Sequence, residues 1–279
     1  MTAWKPELIA LDLDGTLLNS ARQITPGTRT AIGQARASGV KVIPCSGRHF
    51  SGTRLVAMQA GMGDVIICGN GALVTTWQGE TIFAKMLNPS RCLELLEFCE
   101  EYRLGSNLYA DDVLYTLIPN NVTKYYEQLN EQLAADIHCS CRFVSDMRAA
   151  IEENAEKILK FEIFPLPDEP RRMLLDMLER CPDMSEEGNL RTSVELHASG
   201  VNKGTGLAEA ARYFGIPMEN VMAIGDGEND VTMLKMAGMG AAMGNAVSEA
   251  KAAADIVLPS NNEDGVAWAI HQFVHEKEG

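Results

Sequence analysis

Short apolar runs alternating with amphipathic stretches constrain this chain more than any other feature. Glu7-Leu-Ile-Ala-Leu11 has the composition of a strand buried on both faces. Helical spacing follows from about residue 26 to 38 and stops at Gly39, a good position to end a helix. Val40-Lys-Val-Ile-Pro44 predicts a second strand, residues 50–60 a second helix, and Asp64-Val-Ile-Ile-Cys68 a third strand. The rhythm returns near the end: a helix from Val201 to Phe214, a strand Asn220–Gly225, a helix over 229–237, a strand Asp255–Leu258 and a closing helix over 263–275. Strand–helix–strand order predicts an α/β fold with a parallel sheet and right-handed crossovers.

The middle follows another pattern. Asn88-Pro89 opens a helix that runs to about Arg103. Strand-like runs Asn107–Ala110 and Val113–Ile118 flank an Asp-Asp turn. A helix near 121–135, a strand Ile158–Phe164 and a helix Asp168–Arg180 follow, and beyond them a strand Thr192–Ala198 leads to Lys203. Without a βαβ order, this predicts an α+β module inserted into the α/β domain: core 1–86 and 192–279, insert 87–191. A chain of 279 residues has room for both, at roughly 150 residues per domain.

Charge narrows the partners. With 24 basic and 38 acidic residues the net charge is −14. That field repels phosphate backbones and anionic lipid, and the scattered basic residues form no patch, so neither nucleic acid nor membrane is an expected partner. Nor is an obligate protein partner evident. Seven cysteines, an odd number, predict inert thiols rather than a disulfide scaffold; Cys139-x-Cys141 lacks a second pair at zinc spacing. No cationic segment precedes an apolar one at the start, and no apolar run approaches about 20 residues, so a cytoplasmic protein is expected.

The chemistry lies where strands end. Leu11-Asp12-Leu-Asp14-Gly-Thr places two carboxylates, at i and i+2, on one side of a buried strand's carboxyl end, the edge where open α/β sheets bind ligands. A polar turn after a strand is the bland alternative. An EF-hand is excluded, because Gly15 falls at loop position 4 rather than 6. Ile224-Gly-Asp226-Gly-Glu-Asn229-Asp230 is a second acidic set after an apolar strand, and Asp230 stands where a dinucleotide-binding loop needs glycine. Lys203 precedes its glycine, which rules out a P-loop, and it opens a helix, where the dipole disfavours a cation. Together with Ser46, directly after the second strand, Asp12, Asp14, Asp226, Asp230 and Lys203 suit Mg²⁺ plus a phosphate group.

Four ordered motifs carry a resemblance: Asp12-Leu-Asp14-Gly-Thr, Ser46-Gly-Arg48, Val201-Asn-Lys203-Gly and Gly225-Asp226-Gly-Glu-Asn229-Asp230. The chain resembles the haloacid dehalogenase superfamily, specifically the Cof-like phosphatases with a large inserted cap. Met243-Gly-Asn-Ala246 and the run to Asp255-Ile-Val look like that subfamily too. Ser46 stands where many relatives have threonine, which keeps the hydroxyl. The resemblance implies a Rossmann-like core, an α+β cap that closes over the site and sets selectivity, and Mg²⁺-dependent hydrolysis of phosphate monoesters. Asp12 would be the nucleophile that forms an aspartyl-phosphate. Asp14 would begin protonated, its pKa raised by a neighbouring carboxylate, and serve as acid and then base. Mg²⁺ would be held by Asp12, the Asp14 carbonyl and Asp226, with Asp230 a ligand or orienting from behind. Ser46, the amides near Leu13, Asp14 and Gly47, Lys203 and Asn229 would cradle the phosphoryl oxygens.

Sugar phosphates lead as the expected substrate, ahead of flavin mononucleotide and pyridoxal phosphate. A phosphomutase or a dedicated sugar-phosphate phosphatase is the alternative enzyme, and a phosphate-binding regulator on the same fold the non-enzymatic one. Arg48 stands between two readings, contact with an anionic substrate or pairing with an acid of the core. His197 reads as structural or hinge-side rather than as a substrate contact, Glu195 as either cleft-facing or solvated, and no role falls to His49.

Overall fold

The computed structural model describes residues 4–131, 138–187 and 193–274. Two compact units divide the chain: Met1–Ala84 with Asn202–Gly279, and Lys85–Val201. The first begins with β1 (Leu8–Leu11), α1 (Pro26–Ala37), β2 (Lys41–Pro44), α2 (Phe50–Gln59), β3 (Val65–Cys68), β4 (Leu73–Thr76) and β5 (Thr81–Ala84). All four residues of β1 are fully buried, as its unbroken apolar run requires. Helix α1 starts where Thr25 accepts from the Thr28 amide at 3.1 Å, with Pro26 just inside.

The second unit holds α3 (Pro89–Tyr102), β6 (Gly105–Ala110), β7 (Val113–Thr116), α4 (Asn121–Asn130), β8 (Ser140–Phe143), α5 (Met147–Glu153), β9 (Ile158–Phe164), α6 (Asp168–Leu178), β10 (Met184–Glu187) and β11 (Val194–Ala198). Six strands lie in the order β10-β11-β9-β6-β7-β8, antiparallel except for β7 beside β8. Alternation sorts the central strands by face. Leu108, Phe161, Ile163 and Leu196 share one core with Leu95 of α3, Ile151 of α5 and Leu174 of α6. The α+β reading of the middle segment matches this sheet. The expected helix near 121–135 ends at Asn130 here, and residues 132–137 lie outside the described ones. The boundaries differ from the sequence reading: the chain leaves the first unit after Ala84, not residue 86, and returns at Asn202, not residue 192. The second shift is the larger, because β11 pairs with β9 and β10 and so belongs to the inserted sheet.

The chain then continues with α7 (Lys203–Phe214), β12 (Val221–Gly225), α8 (Val231–Met236), β13 (Met239–Ala242), α9 (Ser248–Ala253), β14 (Ile256–Val257) and α10 (Gly265–Phe273). The main sheet is parallel throughout, in the order β14-β13-β12-β1-β2. Leu11 lies beside both Ile224 and Pro44, so β1, β12 and β2 end together at one carboxyl edge. One expectation is corrected. Strand β3 is not a member of the parallel sheet, which it meets through a bridge from Cys45 to Ile67, and instead forms an antiparallel meander with β4 and β5. None of the seven cysteines, all among the described residues, is in a disulfide, and burial pushes the Cys141 thiol up to about 11. No helix among the described residues is long and apolar enough to cross a membrane.

Candidate active site

Three chain segments meet at that edge. Asp12 follows β1 directly, and its amide donates to the Ile224 carbonyl at 2.9 Å. Lys203 opens α7, and its fully buried ammonium sits 2.6 Å from Asp12 Oδ1 and 2.6 Å from Asp230 Oδ1. A cation at a helix start opposes the dipole, and two carboxylates offset that cost here. The start itself is fixed by a capping box, Asn202 accepting from the Thr205 amide while Thr205 accepts from the Asn202 amide. Burial alone would lower the Lys203 pKa, but Asp12 and Asp230 lift it well above its ordinary value, so the ammonium stays charged.

Asp230 has little freedom. Its Oδ2 accepts from the amides of Asp226 and Gly227, each at 2.8 Å, while Oδ1 takes Lys203. Gly225 allows this fold-back, since a Cβ there would lie 2.5 Å from the Asp230 Cβ. Asp226 accepts from Thr16 at 2.8 Å. Gly15, at φ +88°, passes so close that a Cβ would come within 2.2 Å of Asp226 Oδ2. The two acidic motifs, more than 200 residues apart in sequence, are thus pressed together by glycine.

Asp14 stands apart from this buried set. Its side chain is 56% exposed, and Arg48, 9% exposed, grips it with Nε at 2.7 Å and a terminal nitrogen at 2.6 Å. Arg48 therefore pairs with an acid, one of the two readings that the sequence allowed. Partial burial pushes the Asp14 pKa up, but the Arg48 fork outweighs it, and the net direction is down. This corrects the expectation of a raised Asp14 pKa: the nearest charge is a guanidinium, not a carboxylate.

Ser46 is buried behind the same edge, its hydroxyl accepting from the Arg48 amide at 3.2 Å. Leu13 is buried, and its carbonyl accepts from the Leu18 amide, closing the loop after β1. Asn229 donates to Asn70 Oδ1 at 3.2 Å. A Cβ on Gly47 would fall 2.7 Å from that same Asn70 oxygen. Sequence reasoning gave no role to Thr16, Asn70 or Asn245; the last donates to the Gly15 carbonyl at 2.8 Å. Thr16 and Asn245 lie inside stretches quoted for the resemblance, whereas nothing local marks Asn70, which holds φ +52°. His49 is buried and stands at the N-cap just before α2.

The acidic oxygens fit a hard cation. Asp12, Asp226 and Asp230 each offer an oxygen within 4.8 Å of the others. Burial first, and Asp230 second, push the Asp12 pKa well up, with Lys203 opposing. Burial likewise raises Asp226, against its hydrogen bond from Thr16. Three carboxylates facing one ammonium leave excess negative charge, which a divalent cation with oxygen preference relieves.

Residues 9–270 match the profile of the haloacid dehalogenase-like hydrolases. The chain belongs to that family. Among its relatives, the 5-amino-6-(5-phospho-D-ribitylamino)uracil phosphatase YcsE of Bacillus subtilis is 30% identical over 271 residues, spanning 96% of each chain. The pyridoxal phosphate phosphatase YbhA of Escherichia coli is 29% identical, over 96% of this chain and 98% of its own. A haloacid dehalogenase-like hydrolase from Bacteroides thetaiotaomicron superposes at a TM-score of 0.81 with 29% identity, covering 96% of this chain and 99% of its own. The subclass IIB sugar phosphatase BT4131 superposes at 0.79 with 25% identity, covering 95% and 98%. This haloacid dehalogenase-like hydrolase is a phosphatase, built as a parallel α/β core with an additional sheet.

Proposed function

We propose that the protein hydrolyses phosphate monoesters of small metabolites, sugar phosphates foremost, with Mg²⁺ at the acidic set and Asp12 as nucleophile. The observation that carries this reading is the Lys203 ammonium, 2.6 Å from Asp12 and 2.6 Å from Asp230, beside the carboxylate of Asp226. It supports a nucleophile whose charge Lys203 offsets in part, against burial and Asp230, next to an oxygen cluster where a bound metal would hold it ionised. Asp12, Asp226 and the Asp14 carbonyl would hold Mg²⁺, whose charge would draw electron density from the phosphoryl oxygens. Both oxygens of Asp230 are already engaged, which favours an orienting role for it.

In the first step an Asp12 oxygen attacks phosphorus, the bond to the ester oxygen breaks, and Asp14 gives its proton to the departing alkoxide. In the second, water attacks the aspartyl-phosphate, Asp14 takes the water's proton, and inorganic phosphate leaves with Asp12 restored. Asp14 must exchange its salt bridge to Arg48 for a proton before the first step. Ser46, the amides of Leu13, Asp14 and Gly47, Lys203 and Asn229 would steady the phosphoryl oxygens. The molecules named for the relatives, a ribitylamino-uracil phosphate, pyridoxal phosphate and sugar phosphates, are all small phosphate monoesters. The test is phosphate release from nitrophenyl phosphate and a metabolite panel, with Mg²⁺ or with EDTA. Activity only with Mg²⁺, highest on sugar phosphates, is expected; full activity in EDTA, or no release from any ester, overturns the reading.

A further inference from the structure

Between β3 and β4 the chain makes a tight turn in left-handed backbone: Gly69 at φ +56°, Asn70 at +52° and Gly71 at +92°. Glycine enters that region freely, whereas residues with a side chain are uncommon there, even allowing for asparagine's tolerance of it. Such outliers concentrate at functional sites. Asn70 is also only 1% exposed. A further glycine would make the same turn more cheaply, so the Asn70 side chain calls for a reason.

The turn is clamped on two sides. Gly69 donates to the Arg48 carbonyl at 2.8 Å and Asn70 to the Ser46 carbonyl at 3.0 Å, both through the backbone, which fixes the loop after β2 from behind. On the other side a Cβ on Gly71 would come within 2.2 Å of the Asn202 carbonyl, so the turn sits tight against the start of α7. These contacts need only backbone and small residues. The side chain of Asn70 adds its Oδ1, which accepts from Asn229 Nδ2 at 3.2 Å and lies where a Cβ on Gly47 would come within 2.7 Å.

That acceptor decides which way the Asn229 amide faces. Asn229 is half-buried, and its own Oδ1 turns back over Gly227, 2.6 Å from where a Cβ there would be. One N–H goes to Asn70, and among the described residues the other meets no protein acceptor. The oxygen and nitrogen ends of an amide have nearly the same size and shape, so only hydrogen bonds choose between its two orientations. Turned over, Asn229 would aim an oxygen rather than an N–H at an anion. Aspartate at position 70 would accept the same bond and tolerate the same backbone, but it would set a negative charge behind a site suited to a phosphoryl group.

We propose that Asn70 is a positioning residue of the phosphate cradle, holding the Asn229 amide so that its second N–H meets a phosphoryl oxygen. This rests on the phosphatase reading, in which Asn229 steadies such an oxygen, and names the residue that aims it. Asn70→Gly is the test, because glycine keeps the left-handed turn and removes only the side chain. With nitrophenyl phosphate and Mg²⁺, KM and the inhibition constant of orthovanadate should both rise about tenfold, the loss of one hydrogen bond to a charged group, with kcat within twofold of wild type. Merely structural damage would instead lower kcat through a smaller active fraction and leave KM and the inhibition constant alone. Because Asn70 acts through Asn229, Asn229→Ala should show the same losses, and the double variant no more than Asn229→Ala alone. Additive losses, an Asn229→Ala variant that behaves as wild type, an unchanged KM in Asn70→Gly, or a fall confined to kcat overturns the proposal. The amide itself gives a readout without ligand or turnover. In NMR spectra of the full-length chain, the side-chain amide signals that vanish in Asn229→Ala should exchange with water faster in Asn70→Gly; unchanged exchange overturns the proposal. If wild type hydrolyses nothing, the phosphatase reading fails, while this exchange still decides whether Asn70 holds Asn229.

Discussion

Two aspartates two residues apart occupy opposite electrostatic settings. Asp12 is buried against Lys203, and Asp14 is half exposed in the grip of Arg48. Their variants should therefore fail differently. Asp12→Asn removes the nucleophile, and turnover should fall to background on every ester. Asp14→Asn keeps the nucleophile but loses the proton shuttle, a loss of about 10²–10⁴-fold on alkyl esters, whose alkoxide needs a proton. Nitrophenolate departs unaided, so with nitrophenyl phosphate the first step should survive while the second stalls. Rapid-quench mass spectrometry should then find a phosphoryl group on Asp12 of the Asp14→Asn variant; an adduct on another residue sinks the assignment. That both carboxylates emerge at one sheet edge was legible in the sequence, because they follow an apolar strand, whereas their roles rest on the family resemblance. The grip of Arg48 on Asp14 was not. Spacing brings Ser46-Gly-Arg48 to the right strand end but does not choose between two anions for a flexible cation to meet.

At the scale of elements, the strands read correctly were those whose composition matched their burial. Leu8–Leu11 and Val221–Gly225 are apolar runs buried throughout. Met239–Ala242 went unread, since its Gly and Ala residues lack β-branched bulk; Gly240 is held small by the Leu234 carbonyl, which a Cβ there would approach to 2.3 Å. Strands β4 and β5 were missed because the expected parallel sheet had no place for a meander. Strand β11 carries the element-scale prediction. His197 is fully buried, and burial pushes its pKa down against the pull of Glu195. Below about pH 6.5 the unfolded chain binds a proton that the folded strand excludes, so stability should fall by up to about 1.4 kcal/mol per pH unit. Glu195 adds to this only at lower pH. Burial raises it, but Lys160 and His197 bring it down to about 2, so its contribution is lost between about 4.5 and 2. Glu162 opposes the trend above 4.5, being raised by burial and by Glu195. Thermal melts from pH 8 to 5 should show this decline in wild type and a shallower one in His197→Gln; identical slopes would mean that His197 already titrates in the folded chain.

The whole molecule carries a net charge of −14, and its parallel sheet gathers three carboxylates around one ammonium at a single edge. The division into a parallel core and an inserted sheet was legible, because strand–helix alternation breaks off and then resumes. The return point was not, because β11 leads straight into α7 and only its pairing partners show which sheet owns it. The crowded edge has a thermodynamic consequence. Carboxylates whose pKa values are raised by burial and mutual repulsion, as at Asp12 and Asp226, cost stability at neutral pH. A cation that binds only the folded chain should repay that cost. At about 100 times its dissociation constant it contributes ~2.7 kcal/mol, equivalent to roughly 5 °C in Tm for a chain of this size. Asp226→Asn should do two things at once: raise the Tm in EDTA, because one repelling charge is gone, and abolish most of the rise with Mg²⁺. Equal ionic strength in NaCl separates site binding from general screening of the net charge. If Asp226→Asn gains as much from Mg²⁺ as wild type does, the cation acts elsewhere, and the acidic edge is not the metal site.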